Sequence, residues 1–153
     1  MSAVGAPIRT WLRLEAAVAT VAGLVVWAGL DGGWWRFLAL ILLPDLSFIG
    51  YVWGTRVGAA FYNAVHSYAL PLALGLAGGV LDNRMLLLTG TIWLTHIGID
   101  RMLGYGLKYP TTFRDTHLGR IGRSTVPQSL QRTGEHLVEL FAQPENAHQP
   151  SAR

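Results

Sequence analysis

Residues 34–53 read WWRFLALILLPDLSFIGYVW, an apolar stretch long enough to cross a bilayer. Pro44 and Asp45 lie in its interior. A carboxylate at such a position costs roughly 2.5–3.5 kcal/mol on insertion scales, so it normally faces the protein interior and has a partner there. The stretch therefore predicts a membrane-spanning helix, and Asp45 predicts a polar site between helices.

The composition of the whole chain is typical of a small membrane protein. Of its 153 residues, 51% are hydrophobic and 14% are charged, whereas soluble domains carry about 25% charged residues. The chain has no cysteine, which excludes disulfides and thiolate metal sites. We attribute its net charge of +3 to membrane topology rather than to nucleic-acid binding. We therefore expect no nucleic-acid partner.

Three further apolar runs, residues 10–30, 56–78 and 84–104, also have the length that a ~30 Å hydrocarbon core requires. In lipid such runs must be helical, because each backbone polar group has to be satisfied within the segment. The turns between the runs are short, so consecutive helices should be antiparallel. The sequence thus predicts an all-α, integral membrane, up-down four-helix bundle over residues 10–104.

The segments outside the bundle indicate its orientation. Residues 1–9 lack the features of a cleavable signal peptide. Residues 105–123 are expected to pack at the cytoplasmic mouth, and residues 124–153 to form a polar, partly disordered tail with a short amphipathic helix at 133–141. The basic residues that flank the first and fourth spans are Arg9, Arg13, Lys108, Arg114, Arg120, Arg123 and Arg132. This bias predicts a multi-pass inner-membrane protein with both termini in the cytoplasm.

Metal-ligand side chains occur at one level of the predicted spans. Asp45, His66 and His96 lie about eight to ten residues from the cytoplasmic ends, or roughly 12–15 Å. Asp100 lies one turn after His96 on the same helix face. This mixed nitrogen and oxygen set suits zinc, manganese or iron, and bundle cores commonly hold such sites. We therefore predict a divalent metal ion bound by Asp45, His66, His96 and Asp100.

Simpler interpretations exist for each residue taken alone. A single intramembrane histidine is more often a hydrogen-bond partner between helices than a ligand. Asp45 could cap a helix broken at Pro44, and Asp100 could pair with Arg101 or with Lys108 near the interface. The coincidence of all four residues favours the metal site over a purely structural polar network.

The segment 105–123 carries further candidates for catalysis. It could act as a lid in which His117 or Asp115 is a general base and basic side chains bind an anionic headgroup. It could equally be an interfacial anchor. Glu15 lies near the same level as Asp100 and is a third candidate, either catalytic or completing the metal site, although pairing with Arg13 is a simple alternative.

Several blocks resemble an uncharacterised bacterial membrane-protein family, domain-of-unknown-function family 4260. They are LEAAVATVAG, LLPDLSFIGY, YNAVHSYALPL and HIGIDRMLGYGLKYPTTFRDTHLGRIGR, within residues 10–124. A weaker similarity links the chain to membrane-bound metal-dependent hydrolases of the LexA-binding inner-membrane type. Those hydrolases show a PDxD segment, an HS segment and an HxxxD helix followed by glycine and proline. The corresponding residues here are Pro44-Asp45, His66-Ser67, His96 with Asp100, and Gly104, Gly106 and Pro110.

The chain departs from that hydrolase pattern in two places. Ser47 replaces the second aspartate of PDxD, and Tyr62-Asn63 stands where an upstream histidine would be. The resemblance therefore implies one metal ion rather than two, or a site completed by Glu15 or His117.

Three functions remain open on the sequence. The first is a metal-dependent membrane hydrolase that acts on a lipid-like or amphipathic substrate. The second is a proton- or ion-coupled transport subunit in which the same Asp/His cluster relays protons. The third is a structural or accessory membrane protein. Membrane lipids are expected partners in each case, and a homo-oligomer is compatible with all three.

Overall fold

The computed structural model describes residues 4–122, which are mostly helical. The α-helices are α1 (Ala6–Gly29), α2 (Trp34–Leu40), α3 (Thr55–Val65), α4 (Ala69–Val80) and α5 (Arg84–Leu103). A 3-10 helix spans Leu43–Trp53, and β1 (Asp115–Thr116) pairs with β2 (Gly119–Arg120) in an antiparallel hairpin. The predicted tail at 124–153, with its helix at 133–141, lies outside the described residues.

The predicted turns are present, but two of the four predicted spans are not single α-helices. Helices end near residues 31–33, 54 and 81–83, as the sequence predicts. The second span consists of α2 and the 3-10 helix, and the third consists of α3 and α4 with a break at 66–68. These two spans are therefore interrupted rather than continuous α-helices, whereas the expectation of a mostly helical fold is confirmed.

A proline accounts for each interruption. A proline ring collides with the carbonyl four residues earlier and removes one backbone donor. Pro44 lies four residues after Leu40, where α2 ends, and Pro71 lies four residues after Ser67, which sits in the break between α3 and α4. The chain between Pro44 and Trp53 then winds as a 3-10 helix, which is unusually long for this conformation.

Side chains of α5 satisfy the carbonyls that the second break exposes. The indole Nε1 of Trp93 donates to the carbonyl of Val65 at 2.7 Å, and Nη2 of Arg101 donates to the carbonyl of His66 at 3.3 Å. An unsatisfied carbonyl in apolar surroundings would destabilise the fold. The break is therefore supported by the helix against which it lies.

The 3-10 helix separates its residues into three faces, as expected at three residues per turn. Ser47 and Gly50 are buried, and Gly50 lies against α3 at Gly58 and Phe61. Asp45 and Phe48, on the second face, line the cavity of the polar site described below. The face formed by Leu46, Ile49 and Val52 is apolar and exposed.

Helix α5 is the central element, and small residues allow α1 and α4 to approach it closely. A Cβ atom added to Gly98 would lie 3.2 Å from the carbonyl oxygen of Ala16 and 2.6 Å from Oγ1 of Thr20. On the α4 side, a Cβ on Gly90 would lie 2.7 Å from the backbone nitrogen of Gly75. Helices in membranes commonly associate through small residues of this kind.

The chain after α5 folds back over the end of the helices where α1 begins. Gly104 caps α5 with φ 99°, a left-handed conformation that glycine adopts without strain. The side-chain amide of Asn63 pairs with both backbone groups of Lys108, accepting from its N–H at 2.7 Å and donating to its carbonyl at 2.9 Å. The amide of Val4 donates to the carbonyl of His117 at 3.1 Å. The start of α1 and the end of α5 therefore lie at the same end of the fold.

The outer surface is apolar over much of its length. Two helical stretches, Ala6–Gly29 and Trp34–Trp53, are long and apolar enough to cross a membrane. Large apolar side chains project outward from them and from α4, among them Val18, Val25, Trp35, Val52, Leu76 and Val80. The length, composition and exposed apolar faces of these elements are typical of membrane helices.

Candidate metal centre

Four potential metal ligands converge inside the fold. They are Asp45 from the 3-10 helix, His66 from the end of α3, and His96 and Asp100 from α5, each offering one ligand atom within 4.8 Å of the others. Both histidines are buried and both aspartates are partly buried. Residues up to 55 positions apart therefore meet, as the sequence predicts.

The spacing of the four ligand atoms is close to that of a tetrahedral site. The Nε2 atoms of His66 and His96 are 3.2 Å apart. Nε2 of His66 lies 3.5 Å from Oδ1 of Asp45 and 3.6 Å from Oδ2 of Asp100, and the corresponding distances for His96 are 3.6 and 3.8 Å. Ligand bonds of 2.0–2.2 Å give tetrahedron edges of about 3.3–3.6 Å. Five of the six edges thus match within a few tenths of an ångström.

The helix break at His66 orients its ring. Nδ1 of His66 lies 3.1 Å from the carbonyl oxygen of Tyr62, which accepts a hydrogen bond when that nitrogen carries the proton. In this tautomer the Nε2 lone pair points to the other three ligands. Metal-binding histidines characteristically have their second nitrogen fixed in this way.

Tyr62 also fixes the second carboxylate. Its hydroxyl donates to Oδ2 of Asp100 at 3.1 Å, and its ring stacks on the ring of His66 with centroids 3.7 Å apart. The ring of Phe48 also stacks on that of Tyr62, with centroids 5.2 Å apart, and lies 6.3 Å from the ring of His66. Tyr62 is almost fully buried, so it holds two ligands without opening the site to solvent.

A polar cavity of about 240 Å³ adjoins the carboxylates. Asp45, Asp100, Tyr105, Lys108 and Phe113 line it, whereas the two histidines do not. Lys108 is buried, and burial lowers the pKa of its ammonium group, while the carboxylate of Asp100 acts in the opposite direction. A water molecule or a substrate would therefore approach the four ligands from the side of the carboxylates.

A second, apolar cavity of about 420 Å³ lies beside the elements that carry the four ligands. Pro44 and Val65, which directly precede Asp45 and His66, line it together with Trp93 of α5. The site therefore has a polar and an apolar cavity in its neighbourhood.

Comparison with known families identifies the chain. Residues 9–121 match the family described as a domain of unknown function (DUF4260). The chain belongs to the DUF4260 family. Comparisons with curated proteins and with solved structures gave no match. The weaker similarity to LexA-binding membrane hydrolases receives no support from these comparisons and stays a prediction.

The three catalytic candidates of this DUF4260 chain lie outside the four-residue cluster. His117 accepts from the amide of Leu107 through Nδ1 at 2.8 Å, and Nη1 of Arg101 lies 3.1 Å from its Nε2. Burial, and to a lesser degree Arg101, lowers the pKa of His117. Glu15 is exposed on α1.

Asp115, the third of these candidates, belongs to the hairpin. Its carboxylate accepts from the hydroxyl of Thr111 at 2.8 Å and lies 4.0 Å from Nε of Arg120. The hydrogen bond from Thr111 is the main reason why the pKa of Asp115 lies below its usual value. Roles for His117, Asp115 and Glu15 in catalysis stay predictions.

Sequence reasoning gave too little weight to three residues around the site. Tyr62 precedes His66 by four residues, so helical spacing alone places the two on one face. Arg101 and Lys108 look like basic residues at a membrane boundary, yet Arg101 contacts the His66 carbonyl and Lys108 is buried. No local pattern distinguishes these two from the exposed basic residues of the same segment.

Proposed function

We propose that this DUF4260 protein is a membrane-embedded, metal-dependent hydrolase whose divalent ion is bound by Asp45, His66, His96 and Asp100. The observation that carries the proposal is the near-tetrahedral spacing of the four ligand atoms, 3.2–3.8 Å over five of their six separations. Two further features support it: the Tyr62 carbonyl orients His66, and the Tyr62 hydroxyl holds Asp100. Zinc, manganese and iron all suit this donor set.

The chemistry follows from where the cavity meets the ligands. A divalent ion held by these four residues would lower the pKa of a coordinated water to near 7. Because both carboxylates line the polar cavity, that water and the substrate would share the space beside them. Oδ1 of Asp45 faces the histidines, which leaves its Oδ2 to accept the proton as the water attacks. His66, His96 and Asp100, together with Oδ1 of Asp45, would hold the ion in place during this step.

The surroundings of the site favour a lipid-like or amphipathic substrate. The polar cavity offers charged groups to a headgroup, and the apolar cavity near Pro44 and Val65 offers space to a chain. The exposed apolar faces of α1, α4 and the 3-10 helix support insertion in the membrane. We further propose that both termini lie in the cytoplasm. Two observations support this: the backbone hydrogen bond from Val4 to His117, and the basic residues at the end of the fold where that bond lies.

Metal analysis of detergent-purified protein tests the proposal. We expect about one equivalent of a divalent ion in the wild type and its loss in His96→Ala. His117→Ala is the matched control and should keep the ion, because Nδ1 of His117 is occupied by the Leu107 amide. Hydrolysis of amphipathic esters in mixed micelles should require the ion and should be absent in His96→Ala.

Each negative outcome points to a different function. Protein that cannot be loaded with a divalent ion would refute the metal site and leave a structural polar network. A protein that binds the ion but transports protons in vesicles without cleaving esters would support the transport alternative instead.

A further inference from the structure

Lys108 is a buried cation on the wall of the polar cavity. Its side chain is almost fully inaccessible, at 3% exposed, and Nζ donates to the backbone carbonyl of Phe113 at 3.0 Å. Within residues 4–122, no carboxylate lies within ion-pair distance of Nζ. An ammonium group has three N–H donors, so two remain beyond the bond to Phe113. A buried charge of this kind is costly unless something else compensates it.

Aromatic rings and backbone pairing hold Lys108 in place. Nζ lies 4.0 Å from the centroid of Phe113 and 5.1 Å from that of Tyr62, distances typical of cation–π contacts. The side-chain amide of Asn63 fixes the backbone of Lys108 through two hydrogen bonds. Because those two bonds involve only the backbone, the position of residue 108 does not depend on the charge of its side chain.

The net charge of the cavity wall, with a divalent ion bound, favours the binding of an anion. Asp45 and Asp100 contribute two negative charges, which a bound divalent ion would neutralise. Lys108, on the wall of the same cavity, then leaves a net positive charge in a partly enclosed space. At about 240 Å³ the cavity is far larger than the ~10–15 Å³ that one water molecule requires. It therefore has both the charge and the volume to admit a phosphate-sized anion.

We propose that Lys108 is the anion-binding residue of this site and that the substrate is a phosphate ester. The inference rests on the proposed metal-dependent hydrolase. A tetrahedral phosphate presents one oxygen to the metal ion and another to a lysine ammonium, which binds phosphate as a point charge. A carboxylic ester carries no such anionic oxygen in its ground state and leaves Lys108 uncompensated.

The reaction balances with the groups at hand. The water oxygen forms a new P–O bond, and the ester P–O bond breaks with its electron pair leaving on the alcohol oxygen. Asp45 takes the proton from the attacking water and passes it to that alcohol. Lys108 binds a non-bridging oxygen throughout, and this interaction becomes stronger as negative charge develops on the phosphoryl group.

Binding of inorganic phosphate to Mn²⁺-loaded protein in detergent tests the role of Lys108. The paramagnetic ion should shorten the ³¹P relaxation time of bound phosphate and so give its dissociation constant. We expect Lys108→Met to raise that constant roughly 10- to 100-fold, since one charge-assisted hydrogen bond is lost, while the Mn²⁺ stoichiometry stays the same. Lys108→Arg should bind within a few-fold of wild type.

Arg114→Met is the matched control, because it removes an equal charge from the same segment at an exposed position and should leave phosphate affinity unchanged. If Lys108→Met does not fold, Lys108→Gln replaces it, with the same expected loss. Wild-type protein that binds no Mn²⁺ overturns the proposed function. Wild-type protein that binds Mn²⁺ but not phosphate, or Lys108→Met that binds both as wild type does, overturns the role of Lys108 alone.

Competition experiments distinguish the source of the phosphate group. Phosphatidic acid in mixed micelles and glycerol phosphate in solution should each be tested for displacement of bound phosphate. Displacement by phosphatidic acid at lower concentration assigns a lipid headgroup, and displacement by glycerol phosphate assigns a soluble monoester. If neither compound displaces the bound phosphate, the proposal of a phosphate-ester substrate is contradicted.

Discussion

The replacement Asp45→Asn should have opposite effects on stability with and without metal. The ligand oxygens of Asp45 and Asp100 lie within 4.8 Å of each other. At an effective dielectric constant of about 20, two unit charges at that separation repel by about 3.5 kcal/mol. A bound divalent ion removes this repulsion and, at 100 times its dissociation constant, stabilises the fold by about 2.7 kcal/mol. Asn at position 45 removes this repulsion and also lowers the affinity of the site for the ion.

Thermal unfolding in detergent, with and without a chelator, measures both effects. For a chain of this length 1 kcal/mol corresponds to roughly 2–4 °C, so chelation should lower the wild-type melting temperature by about 5–11 °C. Asp45→Asn should respond far less to the chelator. In the presence of chelator it should melt above the wild type, because the neutral amide of Asn at position 45 does not repel the carboxylate of Asp100.

Asp82→Asn is the control for this experiment. Asp82 is an exposed carboxylate in the turn before α5, with φ 48°, a conformation that Asn tolerates well. This variant should keep the full wild-type response to the chelator. If Asp45→Asn instead destabilises the protein equally with and without chelator, the cluster is a hydrogen-bonded network and the reasoning from a metal ion fails.

Two further predictions concern the segment after α5 and the central helix. Because folding lowers the pKa of His117, this residue should contribute stability at neutral pH that is lost as the pH falls below about 6.5. In His117→Asn the side-chain oxygen can still accept from the Leu107 amide but does not titrate. This variant should therefore lose less melting temperature than the wild type between pH 7.5 and 5.5. Gly98→Ala should destabilise the fold by about 1–3 kcal/mol, because its Cβ would lie 2.6 Å from Oγ1 of Thr20, whereas Gly29→Ala meets nothing within 4 Å and should have no such effect in the same denaturation assay. An unchanged pH profile, or equal stability of the two glycine variants, would contradict the respective prediction.

The sequence by itself determined the positions of the turns and the identity of the four clustered residues. Both depend on local chemistry. An apolar run has to be helical in lipid, and Gly and Asp interrupt such runs wherever they gather. A carboxylate or imidazole inside an apolar run normally faces another polar group. This is why Asp45, His66, His96 and Asp100 are expected to face one another.

The helix breaks are encoded locally, and a break at Pro44 is one of the alternatives that the sequence leaves open. Pro44 and Pro71 each exclude an α-helical hydrogen bond four residues upstream, and the ends of α2 and α3 follow from this. A proline inside an apolar run is compatible with either a kinked helix or a broken one. The choice depends on whether neighbouring groups satisfy the freed carbonyls, and at the break between α3 and α4 Trp93 and Arg101 of α5 donate to the carbonyls of Val65 and His66.

Only the tertiary structure decided the roles of Tyr62 and Lys108. Tyr62 reaches Asp100 across 38 positions of sequence, and Asn63 fixes the backbone of Lys108 across 45. Periodicity reports which face of its own helix a residue occupies, but it carries no information about which distant segment lies opposite that face. Lys108 therefore reads as one more basic residue at a membrane boundary in the sequence, and it becomes a buried cation only because the segment after Gly104 folds back over the helix ends.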